Sequence, residues 1–289
     1  MSSPDFEQAL RQARRVTVFT GAGVSAESGI PTFRDRLTGL WERYDPMQLA
    51  TPDAFERDPS LVWGWYEWRR QTVREARPNA AHEAIAALEH RVPAFQLITQ
   101  NVDDLHERAG STGVIHLHGR LMRSRCQGCG ATLDSPGPAQ PVAQGGARIP
   151  PPGCGSCGGR IRPDVVWFGE SLPQAPWQAA VRASRDCDLF LCVGTSAVVQ
   201  PAASLIDLAR QSGATTVQVN PQPTPADDLV DHSLRGLAGE WMPRLVPLVG
   251  ATTPVATPTA TPTATSTDTS TATPHADAAG TARADPPRR

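Results

Sequence analysis

The chain has 289 residues, a formal net charge of −2 and an isoelectric point of about 6.4. So small a charge excess gives no general attraction to nucleic acid or to an anionic membrane surface, and we expect neither as a direct partner. No apolar stretch reaches the roughly 18 residues of a transmembrane helix, and the N-terminus has no signal-peptide pattern, so we expect a cytoplasmic protein.

The C-terminal residues differ sharply in composition from the rest. Residues 251–289 consist mainly of Thr, Ala and Pro and contain almost no large apolar side chains. Such a segment cannot bury enough surface to offset the entropy of ordering, so we predict a disordered tail. The remaining residues, 1–250, are enough for one domain with a sizeable core.

A glycine-rich turn lies near the N-terminus. A β-branched run over 15–19 predicts a buried strand, and the following Gly21-x-Gly23-x-x-Ala26 fits the Gly/Ala form of the dinucleotide-binding fingerprint. Such a turn brings backbone amides toward a pyrophosphate at the start of a helix. Two facts weaken this interpretation. Glycine-rich turns often serve backbone geometry alone, and the usual acidic ribose ligand about 20 residues later is missing.

Helices and strands alternate along the rest of the domain. Helices are predicted over 4–14, 61–76, 80–90, 103–109, 177–184 and 202–211, and strands over 15–19, 95–99, 114–118, 165–168, 188–193 and 215–219. Residues 36–60 are expected to be rich in loops. Apolar strands alternating with helices predict an α/β fold: a Rossmann-like parallel sheet with helices on both faces.

Two Cys-x-x-Cys pairs predict a metal site. Cys126 and Cys129 form the first pair, Cys154 and Cys157 form the second, and 24 residues separate the two. Four thiolates with no open coordination position are typical of one structural zinc ion, and disulfides fit poorly with a cytoplasmic protein. We therefore expect a smaller module, helical over 36–77 and zinc-binding over 121–162, beside a core that spans about 1–35, 78–120 and 163–250.

Polar residues follow the second and third predicted strands. Gln100, Asn101 and Asp103 come after the second strand, and His116 and His118 end the third. The carboxyl ends of parallel strands meet at one edge of a sheet, so we expect these side chains and the glycine turn to line one crevice. Histidines at i and i+2 share a face of a regular strand, so spacing alone does not choose between His116 and His118.

Several further motifs occur in a fixed order along residues 15–245. They are Gly21-Ala22-Gly23, residues 28–35, Thr99-Gln100-Asn101-x-Asp103, His116-x-His118-Gly119, the four cysteines, Val166-Trp167-Phe168-Gly169-Glu170, Gly194-Thr195-Ser196 and Val219-Asn220. This series resembles the sirtuins, the NAD-dependent protein deacylases. The resemblance implies an enzyme that removes acyl groups from the lysines of proteins and releases nicotinamide and O-acyl-ADP-ribose.

The resemblance also implies roles for individual residues. His118 would be the general base that takes a proton from a ribose hydroxyl, and Asn101 and Asp103 would complete the catalytic set. Contacts to NAD would come from Gly21, Ala22, Gly23, Ser25, Ile30, Phe33, Arg34, Gln100, Asn101, Val102, Asp103, Gly194, Thr195, Ser196, Asn220, Gln222 and Ala238. The substrate backbone would add as a strand along Val166, Phe168, Gly169 and Glu170.

Tyr66 and Arg69 suggest the type of acyl group. At i and i+3 on the predicted helix 61–76 they share one face, and together they could bind a carboxylate. Alone, the pair would fit an amphipathic helix with a packed Tyr and a solvated Arg. However, Tyr-x-x-Arg resembles the signature of sirtuins that remove succinyl and malonyl groups, and Ala50 matches a small residue that widens their acyl pocket. We therefore predict desuccinylase or demalonylase activity beside deacetylation.

Two residues depart from the sirtuin pattern, and two alternative functions remain open. Asp104 stands where many sirtuins have glycine, and Gln222 stands where an acid is common. The alternatives are transfer of mono-ADP-ribose to protein and a non-catalytic regulatory module that binds NAD and zinc. The Tyr66 and Arg69 pair argues against the first, and the intact Asn101, Asp103 and His118 argue against the second.

Overall fold

The computed structural model describes residues 4–32, 42, 44–135, 141–142 and 147–251. Nearly all of the predicted tail, 252–289, lies outside these ranges, as do Phe33 and Arg34 of the predicted NAD site. Within them, no helix is both long and apolar enough to cross a membrane.

The strands of the described residues form two sheets. They are β1 (Arg15–Thr20), β2 (Ala94–Thr99), β3 (Ile115–His116), β4 (Gly119–Cys126), β5 (Thr132–Asp134), β6 (Ile161–Val165), β7 (Leu189–Val193), β8 (Thr215–Asn220) and β9 (His232–Arg235). The larger sheet is parallel throughout, in the order β3-β2-β1-β7-β8-β9. The smaller sheet is antiparallel, in the order β5-β4-β6. The predicted α/β fold with a parallel sheet is confirmed.

Helices connect these strands. They are α1 (Pro4–Gln12), α2 (Ala22–Ala26), α3 (Pro46–Leu49), α4 (Pro52–Arg57), α5 (Pro59–Glu75), α6 (Ala80–Glu89), α7 (Leu105–Arg108), α8 (Gln174–Asp186), α9 (Ser204–Gln211) and α10 (Ala238–Leu245), with 3₁₀ turns at Pro225–Asp228 and Val246–Leu248. Side chains cap the N-termini of two of these helices. The Thr51 side chain accepts a hydrogen bond from Ala54 N at α4, and the Asp58 side chain accepts one from Leu61 N at α5. Proline follows both caps, where its missing N–H costs nothing.

The larger sheet grows outward in both directions from β1. Its neighbours are β2 on one side and β7 on the other, and both pairs are parallel. Later strands extend the two sides separately, so the chain connections diverge between β1 and β7. Such a switch point leaves a crevice at the carboxyl ends of the strands, where parallel α/β sheets bind ligands.

The strand period of two places helices on both faces of this sheet. Val18 belongs to one apolar cluster, which includes residues of α1, α6 and α10, and the next residue, Phe19, belongs to another, which includes residues of α8 and α9. Both side chains are fully buried. Successive residues of a strand point to opposite faces, so one apolar run can serve two cores.

The prediction of a core strand over 165–168 is wrong. The strand there is β6, which ends at Val165 and pairs antiparallel with β4 in the smaller sheet. The apolar character of the run comes from Trp167, which is 1% exposed and packs in the core of the smaller module. Sequence reasoning also missed β9 and α10, because the edge strand β9 is only half-buried at alternate residues and has no apolar run.

A buried arginine joins the helical and cysteine-containing parts of the smaller module. Arg70 of α5 donates to Glu67 over 2.5 Å, to Leu121 O over 2.8 Å and to Ser124 Oγ over 3.0 Å. Arg70 is fully buried and Glu67 is 3% exposed. The bonds to Leu121 and Ser124 hold α5 against β4. Loss of Arg70 would also leave the Glu67 charge buried without its partner, at a cost of about 3–5 kcal/mol.

Candidate functional site

Two glycine-containing loops meet at the switch point of the larger sheet. Gly23 N donates to Gly194 O over 2.8 Å, and a Cβ at Gly23 would lie 2.6 Å from that oxygen. Gly194 has a φ of 62°, and a Cβ there would lie 2.5 Å from Val24 N. A side chain at either glycine would collide with backbone, so the close approach of the loops depends on both.

The same loops present unbonded backbone amides. The N–H groups of Ala22, Thr195 and Ser196 donate to none of the described residues. They lie on the loops that Gly21, Gly23 and Gly194 bring into contact. A concave group of free amides at the start of a helix fits an anion such as a pyrophosphate.

Side chains from two other strand ends fix the loop after β7. Gln100 Nε2 donates to Thr195 Oγ1 over 2.7 Å, and Asn220 Nδ2 donates to Thr195 O over 2.8 Å. Gln222 N donates to Asn220 Oδ1 over 3.2 Å, while the Gln222 residue is exposed. The predicted convergence of these strand ends is therefore present in the fold.

Ser25 links Asn101 and Asp103 in a buried row. Asn101 Nδ2 donates to Ser25 Oγ over 3.0 Å, and Ser25 Oγ donates to Asp103 Oδ2 over 3.0 Å. The three residues Asn101, Ser25 and Asp103 are 6%, 1% and 7% exposed, respectively. Burial raises the pKa of Asp103, although the bonds from Leu105 N and Ser25 oppose the shift. Ser25 thus holds the predicted catalytic pair in one orientation.

Threonines at the ends of β1 and β2 form hydrogen bonds that fix the backbone of Asn101, the first residue of this row. Thr20 and Thr99 lie opposite each other in the sheet register, and Thr20 Oγ1 donates to Thr99 Oγ1 over 2.8 Å. Thr99 Oγ1 accepts from Asn101 N over 3.0 Å. His106 Nε2 lies 3.0 Å from Thr20 Oγ1. The start of the Asn101 loop is therefore tied to both strands.

The structure distinguishes the two histidines that spacing could not. β3 ends at His116, and the chain turns at Gly119, which has a φ of 80°, so His118 lies outside a regular strand. His116 Nε2 lies 2.7 Å from Glu107 Oε1, and its Nδ1 lies 3.3 Å from Asn101 O. Both ring nitrogens of His116 thus face oxygen atoms of the protein.

His118 retains a nitrogen for chemistry. Its Nδ1 donates to Gln100 O over 3.0 Å, and its Nε2 forms no hydrogen bond to a described residue. Burial lowers the pKa of His118, and the bond to the Gln100 carbonyl only partly offsets this. The ring is therefore neutral at pH 7, with its unshared electron pair on Nε2.

The remaining residues assigned to NAD lie on two sides of the crevice. Ile30 and Val102 are half-buried and pack against the apolar cluster of the smaller module. Ala238 is buried at the start of α10, and the next residue donates its N–H to Glu27 Oε1 over 2.9 Å. Ile30 and Val102 thus lie beside the smaller module, whereas Ala238 lies beside Glu27, the residue that follows α2.

The segment assigned to substrate backbone has few free donors. Val166 N donates to His118 O, and Phe168 N donates to Ala50 O, each over 2.9 Å. The Glu170 carboxylate accepts from Arg162 and from Trp167 N. Gly169 is exposed, and its N–H donates to no described residue. Of these four residues, Gly169 offers the clearest backbone site for an added strand, whereas Glu170 holds its own loop.

Tyr66 and Arg69 lie together beside this segment, on α5. The Arg69 guanidinium lies 5.5 Å from the Tyr66 ring centroid, and Trp167 Nε1 donates to the Tyr66 hydroxyl over 2.9 Å. Burial lowers the pKa of Arg69, while Tyr66 and Asp103 oppose the shift. Ala50, at 3% exposed, belongs to the same apolar cluster. The predicted carboxylate pair, Tyr66 and Arg69, therefore lies together on α5, with the Tyr66 hydroxyl bonded to Trp167.

The four cysteines of the smaller module form one cluster. Cys126 Sγ lies 3.5 Å from Cys157 Sγ, Cys129 Sγ lies 3.7 Å from Cys154 Sγ, and all four sulfurs lie within 4.8 Å of one another. A tetrahedral zinc ion with Zn–S bonds of about 2.3 Å separates its sulfurs by about 3.8 Å. The arrangement fits one structural zinc ion, and the predicted clustering is confirmed.

Comparison with known proteins identifies the family. A model of the Sir2 family matches residues 21–201. The NAD-dependent protein deacylase of Methylococcus capsulatus is 55% identical over 252 residues, which cover 87% of this chain and 99% of that protein. The chain belongs to the Sir2 family.

Two solved structures of Sir2 proteins extend the comparison. A crystal structure of a Sir2 homolog–NAD complex is 48% identical with a TM-score of 0.77, and the match covers 86% of this chain and 93% of that one. A Sir2–p53 peptide–NAD⁺ complex is 32% identical with a TM-score of 0.73, covering 86% and 98%. Both similarities extend over the two sheets rather than over the glycine turn alone.

The residues of this Sir2 chain fit both groups that the family implies. The free amides of Ala22, Thr195 and Ser196 and the glycine contacts beside them suit the pyrophosphate of NAD. The cluster of four cysteines suits zinc, which would join the turn after β4 to the turn before β6. Phe33 and Arg34 lie outside the described residues and play no part in this assessment.

Sequence reasoning missed the residues that support this Sir2 site. Glu107 faces His116, Arg162 binds Glu170, and Glu27 accepts from the start of α10. None of the three has a spacing pattern that marks its role. Paired threonines at the ends of adjacent strands, Thr20 and Thr99, offered a usable signal, because both precede polar turns at one sheet edge.

Proposed function

We propose that the protein is an NAD-dependent protein-lysine deacylase with His118 as its general base. The observation that carries this proposal is the hydrogen bond from His118 Nδ1 to Gln100 O, which leaves Nε2 without a partner among the described residues. A neutral imidazole with one fixed nitrogen and one open nitrogen suits the removal of a proton from a hydroxyl. Bound NAD would supply the electrophilic ribose carbon that accepts the acyl oxygen, with nicotinamide as the leaving group.

The other residues of the crevice bind and orient. The amides of Ala22, Thr195 and Ser196 would hold the pyrophosphate, and Gln100 would keep their loop in place through Thr195. Ser25 would fix Asn101 and Asp103 toward the ribose and nicotinamide. Holding the groups in this way lowers the entropic cost of reaching the transition state.

We propose that the substrate is an acylated lysine in a protein chain, bound with its backbone beside Gly169. The exposed Gly169 N–H supports this, as does the relative whose structure contains a p53 peptide and NAD⁺. Pairing with an exposed backbone segment would leave the flanking side chains of the substrate outside the crevice. The six cysteines form no disulfide and fit a reducing compartment, so we propose the cytoplasm as the site of action.

We further propose that the enzyme removes succinyl and malonyl groups beside acetyl groups. Arg69 and Tyr66 lie together on α5, and their guanidinium and hydroxyl groups match a carboxylate at the end of an acyl chain. The small Ala50 belongs to the same cluster and leaves room for the longer group.

The experiment compares kcat/KM for one peptide carrying acetyl-lysine, malonyl-lysine or succinyl-lysine. Arg69→Met is expected to lower kcat/KM for the two acidic groups by about 100-fold, because a charged pair is lost, and to leave deacetylation within about threefold. Arg74→Met, which changes an exposed arginine of the same helix, is the matched control. Equal losses for all three acyl groups in Arg69→Met would contradict the proposed selectivity.

A further inference from the structure

The Tyr66 hydroxyl accepts a hydrogen bond from Trp167, which is not among the residues predicted to form the acyl pocket (Ala50, Tyr66 and Arg69). Trp167 Nε1 donates to Tyr66 Oη over 2.9 Å, and each residue is 1% exposed. We propose that Trp167 is a positioning residue for acyl selectivity: its indole N–H turns the Tyr66 hydroxyl into a donor aimed at a carboxylate. This inference rests on the proposed deacylase function and deepens its acyl preference.

The argument starts from the number of bonds that a phenol oxygen can form. It has one proton to donate and two electron pairs with which to accept. The indole of Trp167 is a donor only and hydrogen bonds to the Tyr66 oxygen, while the Arg69 guanidinium, also a donor only, lies 5.5 Å from the Tyr66 ring centroid. With the indole N–H on the oxygen, the phenolic proton points toward another partner, which must be an acceptor. An acyl carboxylate beside Arg69 is such an acceptor.

The indole is held rigidly enough to impose this direction. The Arg162 guanidinium lies 3.3 Å from the Trp167 ring centroid, and the Phe55 ring lies 5.3 Å away on another side. The Trp167 backbone N–H donates to Glu170 Oε2 over 2.9 Å. Arg162 donates to both oxygens of Glu170 and to Val165 O. The ring and backbone of Trp167 are thus fixed by one buried assembly.

The protonation state of Tyr66 suits the role of donor. Burial raises the pKa of Tyr66, although the Arg69 charge and the bond from Trp167 oppose the shift. The phenol therefore keeps its proton at neutral pH and can donate it. Since a buried hydrogen bond to a charged group is stronger than one between neutral groups, correct aim matters more for a succinyl group than for an acetyl group.

The test compares Trp167→Phe with Trp65→Phe, a variant of a second buried tryptophan. Trp167→Phe removes the N–H that reaches Tyr66. Trp65→Phe removes a similar volume beside the Tyr66 ring, which lies 4.8 Å away, and keeps an aromatic ring beside the Arg69 guanidinium, which lies 5.0 Å from the Trp65 ring centroid. The buried Trp65 Nε1 has no hydrogen-bond partner among the described residues. We expect Trp167→Phe to lower the ratio of desuccinylation to deacetylation kcat/KM by about tenfold, through a higher KM for the succinyl peptide. Trp65→Phe is expected to leave the ratio unchanged.

A double-mutant cycle and an isosteric replacement isolate the hydrogen bond. In a Tyr66→Phe background, Trp167→Phe is expected to change the ratio no further, because its target hydroxyl is gone. Trp167→benzothienylalanine keeps the ring shape and replaces only the N–H, so it is expected to reproduce the effect if Trp167→Phe folds poorly. An unchanged ratio in this replacement, or an equal effect of Trp167→Phe with and without Tyr66, would overturn the inference.

The wild-type reactions separate this inference from the function on which it rests. Wild-type enzyme that deacetylates but does not desuccinylate would overturn the inference and leave the deacylase proposal standing. Failure to release nicotinamide with any acylated peptide would overturn both. Desuccinylation with a ratio that is insensitive to Trp167 would overturn only the inference.

Discussion

The NAD crevice and the pocket that we propose for the acyl group (the acyl pocket) are built in different ways. Residues of the crevice follow the carboxyl ends of adjacent parallel strands, so the sheet register itself brings Thr20, Gln100 and Gly194 together. The acyl pocket depends on bonds between segments far apart in sequence, such as Tyr66 with Trp167 and Arg70 with Leu121. The crevice is thus a property of the larger sheet, whereas the pocket depends on the integrity of the smaller module.

Removal of zinc is expected to have the largest effect, because it should unfold the smaller module and leave the larger sheet intact. Structural zinc contributes about 10 kcal/mol or more in small zinc-binding peptides, so chelation or Cys129→Ser is expected to unfold β4 to β6. Deacylation should then be lost, because the segment with Trp167 and Gly169 directly follows β6. Hydrogen exchange should show lost protection in these strands and retained protection in β1 and β2. Cys187→Ser, at a buried cysteine outside the cluster, should keep the zinc. Full protection of β4 and β6 without zinc would refute the assignment.

Replacement of the two histidines separates chemistry from structure within the crevice. His118→Ala is expected to lower kcat about 10²- to 10⁴-fold for every acyl group, with little change in melting temperature, since its Nε2 has no structural partner among the described residues. His116→Ala removes the contacts to Glu107 and Asn101 O, so it should lower the melting temperature more. Steady-state kinetics and thermal unfolding measure both. An active His118→Ala enzyme beside a stable but inactive His116→Ala enzyme would reverse the assignment.

Ser25→Ala tests whether the buried row of Asn101, Ser25 and Asp103 contributes equally to the removal of every acyl group. The change leaves Asn101 Nδ2 and Asp103 Oδ2 without their shared partner in a buried site, at a cost of about 1–3 kcal/mol. We expect kcat/KM to fall about tenfold for acetyl and succinyl peptides equally, unlike the selective loss in Arg69→Met. Ser212→Ala, at an exposed serine that ends α9, is the control. A loss confined to one acyl group would contradict the division between crevice and pocket.

The last prediction concerns acid stability below the crevice and does not change catalysis. Burial lowers the pKa of His82 to about 4 and that of His106 to about 3, and their rings lie 4.8 Å apart. Because the unfolded chain binds these protons near pH 6.5, the free energy of unfolding should be highest above that pH and fall as the pH drops from 6.5 to about 3. His82→Gln should make this fall smaller by about 3 kcal/mol. His90→Gln, at an exposed histidine, should leave it unchanged. An equal pH dependence in His82→Gln and wild type would contradict the buried neutral state.

The same difference explains how far sequence reasoning reached. The glycine turn, the polar residues after two strands and the four cysteines have characteristic spacing, because backbone geometry and zinc coordination impose it. Spacing did not choose between His116 and His118, and the resemblance to sirtuins implied His118; the turn at Gly119 and the position of Glu107, which no spacing reveals, give the physical difference between the two. The Trp167 contact was hidden by the mistaken strand over 165–168, since an apolar run does not indicate which core it fills.

The identity of the acyl product tests the central claim most directly. Wild-type protein is incubated with NAD and a succinylated or acetylated peptide, and mass spectrometry follows peptide and nucleotide together. Our account predicts that the peptide loses its acyl group while nicotinamide and O-acyl-ADP-ribose appear in equal amounts, and that His118→Ala forms neither deacylated peptide nor O-acyl-ADP-ribose at a comparable rate. A peptide that gains the mass of ADP-ribose, or one that remains unchanged, would contradict it.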